Sequence, residues 1–187
     1  SLQLPDSQLA LMEAVAGCGK PVVLCLCAGS DIDLRYADSH FNAIVQLWYP
    51  GAQGGNAAAR MLFGEESVFG KLPVTFYETL EELPEFTEYS MKGRTYRYME
   101  GKAQYPFGYG LNYGNVVMKE AFLDGNQVMA VVENEGETDT EEVIQIYIRA
   151  VSCEAAPPNP QLCAFKRIFV KAGETVGTAL TIRPEAF

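Results

Sequence analysis

Basic residues are scarce in this 187-residue chain: 14 Lys+Arg stand against 24 Asp+Glu, a formal charge of −10. That balance excludes a nucleic-acid partner, because phosphate binding needs a basic surface. It equally excludes electrostatic docking on an anionic membrane. Long apolar runs are missing too. The longest, Pro21 to Ala28, falls far short of the roughly 20 residues a membrane helix requires. The first residues carry no basic n-region and no signal-peptide h-region. There is no initiator Met, so the chain is expected to begin inside a longer protein. With His40 as the single histidine, a Ser-His-Asp or Cys-His arrangement has to run through His40, and no partner for it stands out. The plainer reading of His40 is a surface or capping residue.

The five cysteines are Cys18, Cys25, Cys27, Cys153 and Cys163. No second Cys/His pair follows Cys25 and Cys27 at zinc spacing. They are expected to be buried free thiols acting as small hydrophobes. A reduced, cytoplasmic setting fits that usage better than a secreted one.

What is present divides into two textures. Hydrophobic residues make up 48% and charged residues 20%, a globular balance. In the first half, helical and strand patterns alternate. Asp6 or Ser7 can cap a helix to about Ala16, with Leu9, Met12, Val15 and Ala16 on one face and Gly17 and Gly19 ending it. Val22 to Cys27 reads as a parallel strand buried on both faces. Asp33 to His40 reads as a short helix, Ala43 to Trp48 as a second strand, and Gly54 to Phe63 as a small-residue helix. Lys71 to Phe76 reads as a third, edge-like strand because it contains Pro73. This rhythm implies α/β layering with right-handed crossovers.

From Tyr77 to Tyr113 the periodicity fades and tyrosines accumulate, at positions 89, 96, 98, 105, 109 and 113. So many aromatic rings are expected to pack across a domain surface rather than stand in water. From Val116 the texture becomes all-β. Five strands are expected: Val116–Leu123, Gln127–Glu133, Val143–Arg149, Cys163–Val170 and Thr175–Ile182. An immunoglobulin-like sandwich has about seven, so this one reads as incomplete. These textures read as α/β layering with a mostly parallel sheet, followed by an incomplete immunoglobulin-like sandwich. The expected boundaries are 1–76, an ordered linker 77–113, and 114–187. Sheets short of strands expose unpaired edges, so the chain alone is expected to be marginal and aggregation-prone.

Several side chains are candidates for chemistry. Asp31 and Asp33 follow the first strand, where open α/β sheets bind ligands. Paired carboxylates suit acid/base or metal chemistry; capping the next helix is the plainer role. Gly51-Ala52-Gln53-Gly54-Gly55-Asn56 is similar to a phosphate-cradling turn but lacks the dinucleotide and P-loop spacings. Tight packing of the helix on its sheet is the simpler account. Glu65, Glu66, Glu78, Glu81, Glu82 and Glu85 read as solvated surface. Gly93-Arg94-Thr95-Tyr96-Arg97-Tyr98 interleaves cations with aromatics, which suits either a sugar site or a brace between domains.

Taken in order, several segments resemble the C-terminal part of glycoside hydrolase family 3, in its β-glucosidase and β-xylosidase branch. They are Ser1-Leu2-Gln3-Leu4-Pro5, Gly19 to Leu24, Trp48-Tyr49-Pro50-Gly51 with Gly54-Gly55-Asn56, Gly70 to Phe76, Gly93 to Tyr98, Tyr105 to Leu111, and Phe165-Lys166-Arg167. The resemblance spans nearly the whole chain. It departs at Val68-Phe69, at Asn112, and at Cys163-Ala164, where the family usually has Pro-Ser, Ser, and Lys-Gly.

The resemblance implies an N-terminal (β/α)₈ barrel elsewhere in the protein, then the sandwich domain, then a fibronectin-III-like domain. It implies retaining hydrolysis of terminal β-linked glucose or xylose without a cofactor, so a β-glucoside or β-xyloside is the expected partner. The nucleophilic Asp of the family lies in the barrel, and the acid/base Glu lies a little upstream of the segment matching Ser1 to Pro5. No catalytic residue is therefore carried onto this chain. Asp31, Asp33, Arg94 and Tyr96 remain candidate sugar contacts. Two alternatives stay open: a non-catalytic carbohydrate-binding or interaction module, favoured by exposed aromatics in the Tyr89 to Tyr113 segment, and an anion or nucleotide binder at Gly54-Gly55.

Overall fold

Pro5 starts the first helix of the computed structural model, which describes residues 2–79, 81 and 83–186. Its carbonyl accepts the N–H of Gln8 at 2.9 Å and of Leu9 at 3.1 Å. Helix α1 then spans Asp6–Ala16. Pro5, not Asp6 or Ser7, occupies the cap position, and no side chain caps the helix. Asp6 contributes its charge to the first turn instead, where the helix dipole favours an anion. Only Met12 of the expected apolar face is buried, while Leu9, Leu11 and Val15 are exposed.

The chain packs as two units: Ser1–Leu62 with Pro73–Phe107, and Phe63–Leu72 with Gly108–Phe187. In the first, β1 (Val23–Leu26) and β2 (Ala43–Gln46) pair in parallel, with Val23 opposite Ala43 and Leu26 opposite Gln46. Helix α2 (Arg35–His40) makes the crossover, and α3 (Gly54–Leu62) follows β2. The expectation that β1 is buried on both faces fails. Alternate residues of a strand point to opposite faces; Leu26 is buried, whereas Val23 and Cys25 are exposed. Cys25 and Cys27 are correspondingly exposed free thiols, not buried ones. The physical reason is coverage: among the described residues β1 has β2 as its one strand partner, and one face of the pair lies open.

The expected third strand is also corrected. Lys71 to Phe76 does not join the parallel sheet. Pro73 has no N–H to give a ladder. Around it, Leu72 exchanges backbone hydrogen bonds with Gly108 and Tyr109 in the second unit, at 2.7 and 2.8 Å. Phe76–Tyr77 alone forms β3, antiparallel to β4 (Ala103–Tyr105), and the short helix α4 (Thr95–Tyr98) lies between them in sequence. Phe76 is 1% exposed and meets the Tyr105 ring edge-on. The aromatic-rich segment packs only in part: Tyr96 stacks on Phe107 at 4.1 Å, while Phe86 and Tyr89 stand almost wholly in solvent.

All five strands expected beyond Val116 are present. β5 (Val116–Asp124), β6 (Gln127–Asn134) and β9 (Thr175–Thr181) form one antiparallel sheet in the order β5-β6-β9. β7 (Thr140–Ile148) and β8 (Gln161–Val170) form the other. Alternation of apolar and polar residues turns Ala130, Val132, Ile144, Ile168, Val170 and Leu180 into one buried cluster. Gly125, with φ of 60°, allows the tight β5–β6 turn that a side chain would strain.

Among the described residues of this unit, Asn134, Thr140 and Thr178 are buried polar side chains. Asn134 is fully buried and uses its whole amide. Its Oδ1 accepts the N–H of Asn115 and of Gly136, both at 3.1 Å. Its Nδ2 donates to the carbonyls of Thr138 at 2.9 Å and Val170 at 3.2 Å. A second polar knot holds Phe63–Leu72 in place. Lys71 Nζ donates to the Gly110 carbonyl at 2.6 Å and pairs with Glu142 at 2.8 Å, while Asn112 donates to the other Glu142 oxygen. The Arg167 guanidinium also lies over the Phe69 ring, 5.0 Å from its centre.

Truncating Asn134 removes four hydrogen bonds, the one to the Val170 carbonyl buried and the other three part-buried, and a buried acceptor is costly to leave unmade. Asn134→Ala is expected to lower unfolding stability by about 2–4 kcal/mol, read as a lower urea midpoint. A variant that unfolds at the wild-type urea concentration contradicts this account.

Candidate functional site

Parallel strands bring their carboxyl ends to one edge. At that edge of β1 and β2 the chain runs through Ala28-Gly29-Ser30-Asp31 and through Leu47-Trp48-Tyr49. Gln46 ties the two strand ends together by donating from Nε2 to the Ala28 carbonyl at 2.6 Å. Its Oε1 is buried and has no hydrogen-bond partner. Trp48 holds a φ of 56°. That region costs a non-glycine residue roughly 1–3 kcal/mol and is kept only where the surroundings impose it.

Asp31 is the candidate with chemical freedom. It accepts the backbone N–H of Tyr77, yet its Oδ2 is buried without a partner among the described residues. Burial pushes its carboxyl above the usual aspartate range, against the lowering effect of the Tyr77 and Asp31 N–H groups. Tyr77 is linked onward, since its hydroxyl accepts the N–H of Thr95 at 2.6 Å. Burial and the nearby Asp31 charge raise the Tyr77 hydroxyl, while Arg94 acts in the other direction. Thr95 has a φ of 56°, a genuine outlier for a β-branched residue. Asp31, Tyr77 and the Arg94-Thr95 turn are thus brought together, although Tyr77 carried no signal in the sequence.

The other three candidates are engaged. Asp33 Oδ1 accepts the Arg35 backbone N–H at 3.1 Å, and its carboxylate pairs with the Arg35 guanidinium through both oxygens. Hydrogen bonding to Arg35 holds Asp33 below the usual range. Neither aspartate caps α2, whose cap position is Leu34 with no side-chain cap; Asp33 accepts the N–H of its first residue. Arg94 donates to the carbonyls of Glu85 at 2.8 Å, Glu88 at 3.0 Å and Pro84 at 3.3 Å. It braces its own loop through backbone carbonyls, so of the two readings of this motif the brace between domains is not what these bonds form. Tyr96 stacks on Phe107 and has the Arg97 guanidinium 5.9 Å from its ring centre.

Asp33 and Arg35 also line a small recess of about 100 Å³ with Leu2, Gln3, Glu78 and Glu81. They border a wider cleft of about 500 Å³ beside α1 as well. His40 stacks on Tyr36 at 4.2 Å and hydrogen-bonds the Tyr36 carbonyl through Nδ1, a capping role as expected. Among the described residues, no group of three or more His, Cys, Asp or Glu can hold a metal ion. At the start of α3, Gly54 packs against Pro50 and its N–H is taken by the Gly51 carbonyl at 2.9 Å. Gly55 faces open space, so the helix-on-sheet packing expected at that glycine is absent there.

A family model described as the glycosyl hydrolase family 3 C-terminal domain matches residues 1–113, and a fibronectin type III-like model matches residues 142–187. A xylan 1,4-beta-xylosidase of Xylanibacter ruminicola is 40% identical over 192 residues, covering all of this chain and 22% of that protein. A periplasmic beta-glucosidase of Salmonella typhimurium is 33% identical over 206 residues, covering all of this chain and 27% of that protein. The crystal structure of a β-glucosidase from Bifidobacterium adolescentis superposes with a TM-score of 0.86 at 29% identity, covering all of this chain and 30% of that one. The chain thus spans about a quarter of the length of the relatives it matches.

Two outcomes follow for the side chains at this edge. A carboxyl raised by burial favours folding while protonated and opposes it once ionised. The stability it lends is complete below the unfolded pKa of ~3.9 and is lost as pH rises through the higher folded value. Asp31→Asn is therefore expected to be more stable than wild type at pH 7, with the gap closing on acidification. Urea midpoints across pH 3.5–7 (a window set by ~3.9) test this, and a gap that widens in acid refutes it. Separately, Arg94→Lys replaces a planar fork with a single ammonium. It is expected to speed proteolysis within residues 84–90 severalfold, of order the tenfold that ~1.4 kcal/mol supplies, while the unfolding midpoint stays close to wild type. Unchanged cleavage there removes the brace assignment.

Proposed function

The chain belongs to glycoside hydrolase family 3, and on that premise we propose that the protein as a whole is a retaining β-glycosidase acting on terminal β-linked glucose or xylose. The match of residues 1–113 to the family's C-terminal domain carries this reading. The named activities of the xylosidase and glucosidase relatives support it. A retaining enzyme needs two carboxyl groups about 5–5.5 Å apart, one nucleophile and one acid/base. Neither role is assigned to a residue of this chain. The nucleophile belongs to a (β/α)₈ barrel elsewhere in the protein, and the acid/base to the loop before the segment matching Ser1 to Pro5.

In this reading the first unit supplies part of the sugar-site wall. Among the described residues, the buried Asp31 Oδ2 has no hydrogen-bond partner, which makes Asp31 the least engaged of the four candidates. Asp33, Arg94 and Tyr96 shape the surface around it through Arg35, the 84–88 carbonyls and Phe107. The exposed apolar side chains Leu11, Val15, Val23 and Leu62 suit a face covered by another part of a longer protein. One observation favours the second reading, a carbohydrate-binding or interaction module: Phe86 and Tyr89 are 93% and 89% exposed. A cytoplasmic setting is supported by the four exposed thiols, which an oxidising compartment would attack.

The test is hydrolysis of aryl β-glucoside and aryl β-xyloside by this chain and by the protein extended upstream through a barrel. Turnover by the extended protein alone is the expected result, and the preferred aryl glycoside then gives the sugar. Turnover by the 187-residue chain unaided overturns the assignment of both carboxyls outside it. No turnover by either protein, with sugar binding retained, favours the binding-module reading.

A further inference from the structure

We propose that the Tyr77 hydroxyl is a catch that holds the Gly93-Arg94-Thr95 turn in a strained form, which makes Tyr77 a positioning residue for the sugar-facing surface rather than a contact on it. The proposal rests on the β-glycosidase reading for its kinetic consequence and on geometry for the catch. The turn runs left-handed, extended, left-handed, with φ of 72° at Gly93, −109° at Arg94 and 56° at Thr95. Glycine takes the first value without steric cost. Threonine does not take the last one so freely, because its branched Cβ crowds the backbone there. Such a conformation persists only where its surroundings over-determine it. Part of that constraint is local. Arg94 reaches back to the carbonyls of Pro84, Glu85 and Glu88, and the Thr95 carbonyl accepts the N–H of Met99 at 3.0 Å.

The Tyr77 bond comes from elsewhere in the unit. The Thr95 N–H stands at the start of α4, where a helix has no carbonyl of its own to offer. It donates instead to the Tyr77 hydroxyl oxygen, 2.6 Å away and 18 residues earlier. Tyr77 is itself fixed: it pairs with Ala103 across β3 and β4, and its own N–H goes to Asp31. The bond therefore ties the turn to that strand pair, while the Arg94 bonds keep within residues 84–94. Direction matters here because α4 has 4 residues, too few to hold a course alone. Tyr96 follows at once, stacked on Phe107 with ring centres 4.1 Å apart and planes 12° from parallel. Turning Thr95 to an ordinary negative φ would swing that ring off Phe107.

The experiment uses the whole protein as wild type, Tyr77→Phe, Thr95→Gly and the double variant. KM and kcat are read with aryl β-glucoside and aryl β-xyloside. Hydrogen exchange over residues 93–99 is read by mass spectrometry, with melting temperature as the control. Tyr77→Phe keeps the ring and loses the catch. It is expected to speed exchange in 93–99 and to raise KM, each by up to about tenfold, the factor one hydrogen bond supplies, with kcat little changed. Thr95→Gly alone should match wild type. In the double variant glycine holds the left-handed φ without the catch, so KM should return close to the wild-type value. A hydroxyl that touched sugar itself would leave the double variant as weak as Tyr77→Phe, and that result overturns the proposal. Wild-type exchange and KM in Tyr77→Phe overturn it too, as does a loss that only tracks a lower melting temperature. If neither glycoside is hydrolysed but the exchange effect and its rescue appear, the catch stands and the hydrolase reading falls. If a glycoside is hydrolysed and KM ignores Tyr77→Phe while exchange responds, the hydrolase reading stands and the positioning role falls.

Discussion

The second unit depends on a single carboxamide. Asn134 ends β6, and its four hydrogen bonds reach Asn115 before β5, Gly136 and Thr138 in the turn to β7, and Val170 at the end of β8. Strand ends are where backbone polar groups lose their ladder partners, and in a buried corner water cannot replace them. An amide offers two donors and two acceptor sites, and here each donor is used once and the oxygen twice. The glycines around it have the same cause. A methyl at Gly114 would come within 3.0 Å of Asn134 Oδ1, and one at Gly136 within 3.2 Å. The apolar cluster supplies the driving force for this unit; the amide fixes how its strands meet.

The first unit is organised differently. Its buried apolar residues, Met12, Leu26, Leu34, Ala37, Met61 and Phe76, are spread over its separate elements, and polar atoms carry much of its local order. Leu34 donates to Gln104, Tyr105 donates to Asp38, Arg94 gathers three carbonyls, and Tyr77 receives the Thr95 amide. Orphaned polar atoms occur here as well: besides Asp31 and Gln46, the Thr75 hydroxyl and Gln104 Nε2 are buried without partners. Trp48 and Thr95, the two non-glycine residues with left-handed φ among the described residues, also belong to this unit. A region that spends stability in this way is suited to holding side chains in set positions.

What the sequence made legible follows from which physics is local. Alternating apolar residues specified all five strands of the second unit, because a half-buried strand has a fixed period of two. The family resemblance was readable from ordered short motifs, and the match of residues 1–113 bears it out. Non-local effects were not readable. Val22 to Cys27 has the composition of a strand covered on both faces, but coverage depends on what packs over it, and Cys25 is exposed. Pro73 marked an irregularity without showing that Leu72 would turn to Tyr109. Tyr77 gave no signal, since its role comes from a neighbour's N–H. Asp31 and Asp33 looked equivalent until burial separated them from each other.

The placement of Phe63–Leu72 has a consequence in time. This segment precedes Pro73–Phe107 in the chain but packs with residues that follow it. During synthesis Lys71 emerges roughly seventy residues before Glu142, and at 5–20 residues per second the wait is roughly 4–14 s. Throughout that interval a charged lysine and the apolar Phe69 have no final position, while the first unit is completing itself on either side of them. The order of assembly is thereby set by chain topology: the ion pair closes late, after β7 has been made, and it pins a segment synthesised long before.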